Sequence, residues 1–253
     1  MTSIAFLVPL TSNKSKWTKL DDSFLYLYLL PTLCETAPKD NYSYHFYFGI
    51  DKGEKIYTVD NLLKMVNYFS HKYGFNFTVD TTEYENVKPG HLTKMWNILL
   101  DKAHNKKIHN YYYQCGDDIF FMDSEWLQES IRLLRLNNGF GISGPAVFHA
   151  GKDTLCEAAI LTQVLISNKH YDIFGKMFPE ELKNWYCDSW VNYVYKNGNV
   201  FKDTTHRCKN VSVEVTGERY RYSNNKTLFT SLAEKDVIVA DNFIGSYKLI
   251  NNE

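Results

Sequence analysis

Asp117 and Asp118 stand side by side in NYYYQCGDDIFFMDSEW, residues 110–126, an otherwise apolar and aromatic run. Tyr, Phe and Ile favour a buried strand, and a carboxylate inside one is costly unless something pairs with it. When both are ionised, the neighbours also repel. A divalent cation bound to them would relieve both penalties. The alternative is a turn at the strand's end, with Gly116 and the two aspartates facing water. A further acid, Asp51, closes the strand-like run SYHFYFGID at residues 43–51.

The elements that must position these acids follow from periodicity. SIAFLVPL, residues 3–10, predicts a buried first strand, and residues 20–37 a helix with Asp21 and Asp22 as start signals. After the second strand at 43–51, residues 59–74 predict an amphipathic helix closed by Gly74. FNFTVDT is the third strand. KPGHLTKMWNILLDKAHN, residues 88–105, places Leu92, Trp96, Leu99, Leu100 and Ala103 on one helical stripe. The aspartate run supplies a fourth strand, DSEWLQESIRLLRLNNG a helix ended by Gly139, and FGISGPAVF a fifth strand. This alternation to about residue 148 predicts an α/β fold with a mostly parallel sheet and helices on both faces. Such sheets bind ligands beyond the carboxyl ends of their strands, so Asp51 and Asp117–Asp118 are expected to share one crevice. The remainder is less regular. Residues 160–175 predict a strand and a loop, 178–198 a loop and a short helix, 200–215 one or two strands around His206, and 236–253 a strand-like stretch.

A chain of 253 residues buries one sizeable core. Its net charge of −1 excludes the basic surface that nucleic acid requires and the acidic excess of a solvating tail. An aromatic content of 16% excludes disorder. The five cysteines (Cys34, Cys115, Cys156, Cys187 and Cys208) form no C-x-x-C pair. Their odd number and wide spacing predict free thiols in a reducing compartment, with neither a disulfide framework nor a zinc site. The N-terminus lacks the basic and apolar regions of a signal peptide. The longest apolar run, FLYLYLLPTL, is too short to span a bilayer and contains Pro31. The expectation is a soluble, cytoplasmic protein, in which the sequons at Asn13, Asn41, Asn76, Asn210 and Asn225 arise by chance.

Taken in order, YYYQCGDDIFF, IFGKMFPEELKNWYCDSW and THRCKN give the chain a family likeness. It resembles the GT-A glycosyltransferases, and among them a group from microbial eukaryotes and large viruses. The resemblance implies one GT-A, Rossmann-like domain. Residues 1–148 would form a nucleotide-sugar-binding half and 149–253 an acceptor-side half with a smaller mixed sheet. It implies a nucleotide-sugar donor, Mn²⁺ or Mg²⁺, and transfer to a glycan or other hydroxyl acceptor. UDP is the expected nucleotide by analogy with the commonest donors. The acidic motif departs from the family's D-x-D pattern, because Gly116 stands where many members carry Asp or Glu.

By this resemblance Asp118 holds the metal, and Asp117 contacts the ribose, or the metal through water. Asp188, in WYCDSWVNY, is the base that takes the acceptor's proton in an inverting reaction; the alternative is a helix N-cap. His206, in DTTHRCKN, completes the metal or diphosphate site, or is a strand histidine with no role. Asp51 binds the base or ribose, or is the turn residue of DKGE. Asn97 and Lys94 reach the nucleotide, or lie on a helix surface. Trp185, Tyr186 and Trp190 offer an aromatic platform to a sugar acceptor, with core packing the fate of at least one.

Gly-Asp-Asp also marks the palm of RNA-dependent polymerases. The chain is too short for fingers and thumb, a helix pattern follows Asp118, and no basic channel is encoded. A binder of sugar nucleotides or glycans without turnover is the non-enzyme alternative.

Overall fold

Ile4, Phe6 and Val8 of strand β1 (Thr2–Leu10) enter one buried cluster, while Ala5 and Leu7 enter another. That alternation follows from the pleat, and it gives the fold two cores, one on each face of a central sheet. The coordinates are a computed structural model, which describes residues 1–13, 15–85, 87, 90–150, 155–211 and 225–251. The other strands are β2 (Tyr42–Asp51), β3 (Phe77–Tyr84), β4 (Tyr111–Gln114), β5 (Ile119–Phe121), β6 (Ile142–Ala150), β7 (Leu155–Glu157), β8 (Val164–Ser167) and β9 (Val200–Asn210).

Among the described residues these strands form one sheet, ordered β3-β2-β1-β4-β8-β6-β9-β5, with β7 beside β6. The first four of that order are parallel, as the alternation predicts. β8 then runs antiparallel to β4. The expected fifth parallel strand, β6, lies beyond β8 and pairs in parallel with β9 instead. The mixed strands of the acceptor side thus continue the main sheet.

Helices α1 (Leu30–Thr36), α2 (Val59–Tyr73) and α4 (Trp126–Leu136) supply the first core, with Leu33, Leu62, Val66, Trp126 and Ile131. Leading into α1, Leu25–Leu29 form a π-type turn. Pro31 has no N–H for the regular ladder there, and a widened turn accommodates its ring. On the opposite face lie α3 (Leu92–Asn105), α5 (Asn168–Phe174), α6 (Cys187–Val194) and α7 (Lys226–Ile250). Trp96, Leu99, Leu100 and Ala103 of α3 are buried there as their spacing predicts.

The C-terminal stretch corrects the sequence reading. Val237, Ile238 and Val239 suggested a strand, yet they lie within α7. Ala233, Val237, Ala240 and Ile244, spaced four, three and four apart, form its buried stripe, and Asn225 caps its start by accepting the Leu228 amide. Helical spacing of small and apolar residues overrides local β-preference here.

A short strand, β5, also follows Asp118 where only a helix pattern was read. It pairs with β9 and not with β4, so no hairpin flanks the Gly-Asp-Asp turn. Cys34, Cys115, Cys187 and Cys208 are free and buried; the side chain of Cys156 lies outside the described residues, as do residues 212–215 of the strand expected over 200–215. Among the described residues no helix is long and apolar enough to cross a membrane.

Candidate active site

Strands β2, β1 and β4 are parallel neighbours, so their carboxyl ends lie along one edge of the sheet, where ligands bind in such folds. Asp51 is the last residue of β2, and Thr11 immediately follows β1. Asp51 opens the expected turn, since the Glu54 amide bonds to its carbonyl and Gly53 adopts φ 77°. Its carboxylate also faces inward. Thr11 donates a hydrogen bond to it, while Oδ2 is buried without a partner. Burial, opposed by Thr11 and reinforced by the nearby Glu54 charge, raises the Asp51 pKa.

Glu54 ties the two loops together. Its carboxylate accepts from the Ser12 amide (2.8 Å), the Ser12 hydroxyl, and the amides of Lys55 and Ile56. These bonds hold its pKa low against the effect of burial. The same loop delivers Tyr57, whose hydroxyl donates to Asp117 Oδ2 at 2.8 Å.

The Gly-Asp-Asp turn leaves β4 at Gln114. It is a turn, as one reading held, but its aspartates do not face water: Asp117 is 1% exposed and Asp118 9%. The Asp118 carbonyl accepts from the Val211 amide, which anchors the turn to the end of β9. Cys115, fully enclosed beside them, has its thiol pKa pushed well up by burial first, then by the charges of Asp118 and Asp117. The two buried carboxyl groups thus stand side by side in the turn.

Asp188 sits in the first turn of α6, whose N-cap is Tyr186 at φ 69°. It is therefore not the cap. Its Oδ1 accepts from the Ser189 amide at 2.7 Å. Its charge, after burial, raises the pKa of Cys187. Asp188 lines a cavity of about 260 Å³ together with Gln114, Thr162, Trp96, Trp185 and Tyr186, among others. Gln114 lies three residues before Asp117 in the chain. Thr162 accepts from Asn210 at 3.2 Å, and Asn210 precedes the Val211 that binds Asp118. The cavity and the aspartate turn are thus neighbours. Trp185 is 41% exposed at the cavity, and the ring of Tyr186 stacks on Phe229 at 5.0 Å. Trp190 is buried in the core and donates to Asp236, which removes it from the aromatic platform.

Two further expected site residues make specific contacts of their own. Asn97 is neither on a helix surface nor turned to the crevice: it is buried, donates to the Phe178 carbonyl, and accepts from the amides of Met177 and Phe178. It pins the 177–178 segment, whose Phe178 lines the cavity. Lys94, on the same helix, is half-buried.

His206 lies in an irregularity of β9, where the partners of Pro145 and Ala146 jump from Asp203 to Arg207. Its Nδ1 meets Asp203 Oδ2 at 2.5 Å, and Asp203 Oδ1 accepts the amides of Thr205 and His206. The ring of His206 is thus engaged by the buried Asp203 carboxylate. Val211, whose amide bonds the Asp118 carbonyl, lies five positions after His206 in the chain.

Tyr57, Glu54, Thr11 and Gln114 were not read as site residues. Gln114 had a signal, since it ends the strand before the acidic turn. Glu54 had a weaker one as the second acid of DKGE. Tyr57 had none, because 60 residues separate it from Asp117.

Mn²⁺ and Mg²⁺ prefer hard oxygen ligands, and Mg²⁺ in particular is often held by one or two protein carboxylates together with substrate phosphates. Asp117 and Asp118 are of that donor type. Among the described residues no group of three or more His, Cys, Asp or Glu side chains is placed to hold an ion by itself. The donor set fits a cation that a phosphorylated ligand helps to bind.

No family model matches the sequence, and no curated protein matches it. Solved structures do. TarS 1–349 of S. aureus in complex with UDP superposes with a TM-score of 0.52 at 14% identity, covering 94% of this chain and 65% of that one. The same fragment in complex with UDP-GlcNAc gives 0.53 at 14% identity, over 96% and 73%. GalNAc-T7 with UDP, GalNAc and Mn²⁺ gives 0.56 at 10% identity, over 83% and 43%. The chain thus spans about two thirds of the first of these and under half of the last. Mixed sheet, flanking helices and crevice together have the GT-A glycosyltransferase fold.

Proposed function

We propose that the chain is a metal-dependent glycosyltransferase that moves a sugar from a nucleotide-sugar donor, of the UDP class, to an acceptor hydroxyl with inversion. The observation that carries this reading is the adjacency of two acidic elements: the buried Asp117–Asp118 turn, and the cavity that Asp188 lines with Gln114. One would hold the leaving group and the other the acceptor.

In this reading the first half of the chain binds the donor. The buried, unpartnered Oδ2 of Asp51 accepts a hydrogen bond from the base or ribose. Asp118 and Asp117 hold Mn²⁺ or Mg²⁺, and Tyr57 fixes Asp117. Bound there, the ion stabilises the negative charge of the departing nucleoside diphosphate. The second half receives the acceptor. Trp185 and Tyr186 present aromatic faces to a glycan at the cavity. As the acceptor oxygen attacks the anomeric carbon, the bond from that carbon to the diphosphate oxygen breaks. The acceptor's proton passes to the Asp188 carboxylate on the opposite face. Asn97 acts at one remove, by holding the backbone that places Phe178 in the cavity wall.

A thermal-shift screen of nucleotide sugars with and without Mn²⁺ tests the donor assignment. A ligand of the folded state raises the melting temperature by mass action. A shift with UDP-sugars that needs Mn²⁺ is expected; equal shifts without metal would remove the ion from the account.

A further inference from the structure

Gly116 is not required by its backbone, which lies outside the left-handed region that favours glycine. Space explains it instead. A Cβ built at residue 116 would stand 2.4 Å from Asp118 Oδ1, and, its chain neighbours aside, the three nearest heavy atoms all belong to Asp118: Cγ follows at 3.5 Å and the amide nitrogen at 3.9 Å. Real Cβ contacts do not approach 3.0 Å, so something must yield. What yields most easily is the far end of the Asp118 side chain, because the atoms nearest the added one are its own.

We infer that Gly116 is the positioning residue of the candidate metal site: its missing side chain is what allows the Asp118 carboxylate to fold back over the turn. This rests on the metal role proposed for Asp118. It follows that the chain has not simply lost an acid at 116. Any side chain there and the present place of the Asp118 carboxylate exclude each other. An aspartate introduced at 116 would displace the ligand that exists and would not add a second one.

The test compares Gly116→Ala and Gly116→Asp with the wild-type chain by calorimetry, titrating UDP with and without Mn²⁺. Both variants are expected to lose at least tenfold of the Mn²⁺-dependent affinity and to keep the metal-independent part. A gain of affinity in Gly116→Asp would overturn the inference. A stability cycle guards against misfolding. If the clash is with the carboxylate, any loss of melting temperature in Gly116→Ala disappears when Asp118→Ala is also present; a loss that persists contradicts the inference. A crystal structure of ligand-free Gly116→Ala should show the Asp118 carboxylate rotated away from residue 116, and an unmoved carboxylate would refute its positioning. If wild-type protein shows no Mn²⁺-dependent UDP binding, the proposed function fails, and the ligand-free structure and the cycle still decide the role of Gly116.

Discussion

The Tyr57 hydroxyl donates a 2.8 Å hydrogen bond to Oδ2 of Asp117, joining the loop after β2 to the turn after β4. Both residues are buried, at 0% and 1% exposure, so the bond is made away from water. Hydrogen bonds to charged groups contribute roughly 1.5–3 kcal/mol. Tyr57→Phe is expected to lower stability by that amount, read by urea denaturation, and to weaken nucleotide binding because Asp117 loses this one of its restraints. Unchanged stability would mean that Asp117 is held by other contacts.

Asp51 presents the opposite balance. A half-buried carboxylate with one unpartnered oxygen and a raised pKa is a cost to the free protein. Asp51→Asn removes the charge at nearly constant shape. We expect the melting temperature to rise by about 2–4 °C, the shift of roughly 1 kcal/mol in a chain of this size, and UDP affinity to fall about tenfold, the scale of one lost hydrogen bond. A variant that is more stable with affinity intact would show that Asp51 does not meet the donor.

Asp188→Asn isolates the base. The residue is in the first turn of α6 and is not its cap, so the substitution should change the melting temperature little. Donor affinity should be near normal and the transfer rate lower by about 10²–10⁴-fold, the usual contribution of a general base. Proton NMR of the first product should show an anomer opposite to the donor's. A retained anomer would transfer the proton's destination to the leaving diphosphate and return Asp188 to acceptor binding.

His206→Ala should act on stability. Without the imidazole, the buried Asp203 carboxylate loses its side-chain partner, a loss of about 1–3 kcal/mol. Mn²⁺-dependent UDP affinity should be unchanged. A selective loss of that affinity with normal stability would restore His206 to the metal site.

The pH dependence of stability should be set partly by two buried histidines. Burial depresses the pKa of His109 to about 4, with the charges of His45 and Lys106 adding to it and that of Asp80 opposing. Burial likewise depresses His170 to about 4, against the hydrogen bonds of its ring to the carbonyls of Met177 and Lys176. In the unfolded chain both bind protons near the ordinary histidine value of about 6.5. Their contribution is therefore intact above that pH and is lost as pH falls toward 4, by up to roughly 3 kcal/mol per residue. Denaturant midpoints at pH 7 and pH 5 would show the fall; a flat profile would contradict neutral, buried imidazoles.

What the sequence disclosed was local. β1 to β4 and the helices between them repeat a short period with clear stops, and Asp51 and Asp117–Asp118 fall at strand ends by that reading alone. The misread parts depend on partners far along the chain. α7 carries Val237, Ile238 and Val239, whose β-preference is outweighed only by the stripe that α5 and α6 bury. β5 is three residues long and exists because β9 pairs with it. His206 suggested a ligand by its place in the chain; its pairing with Asp203 depends on the strand irregularity there, which no local pattern announces. Gly116 looked like a loss until the place of the Asp118 carboxylate was known.

The central claim, that the Asp117–Asp118 crevice and the Asp188 cavity together turn over a nucleotide sugar, is tested most directly by proton NMR of donor hydrolysis. UDP-sugars are incubated with the chain and Mn²⁺, with no acceptor but water. Slow release of free sugar and UDP from at least one donor is expected, dependent on Mn²⁺ and abolished in Asp118→Asn. Mn²⁺-dependent binding of UDP-sugars with no free sugar from any of them, or release undiminished in Asp118→Asn, would contradict that claim.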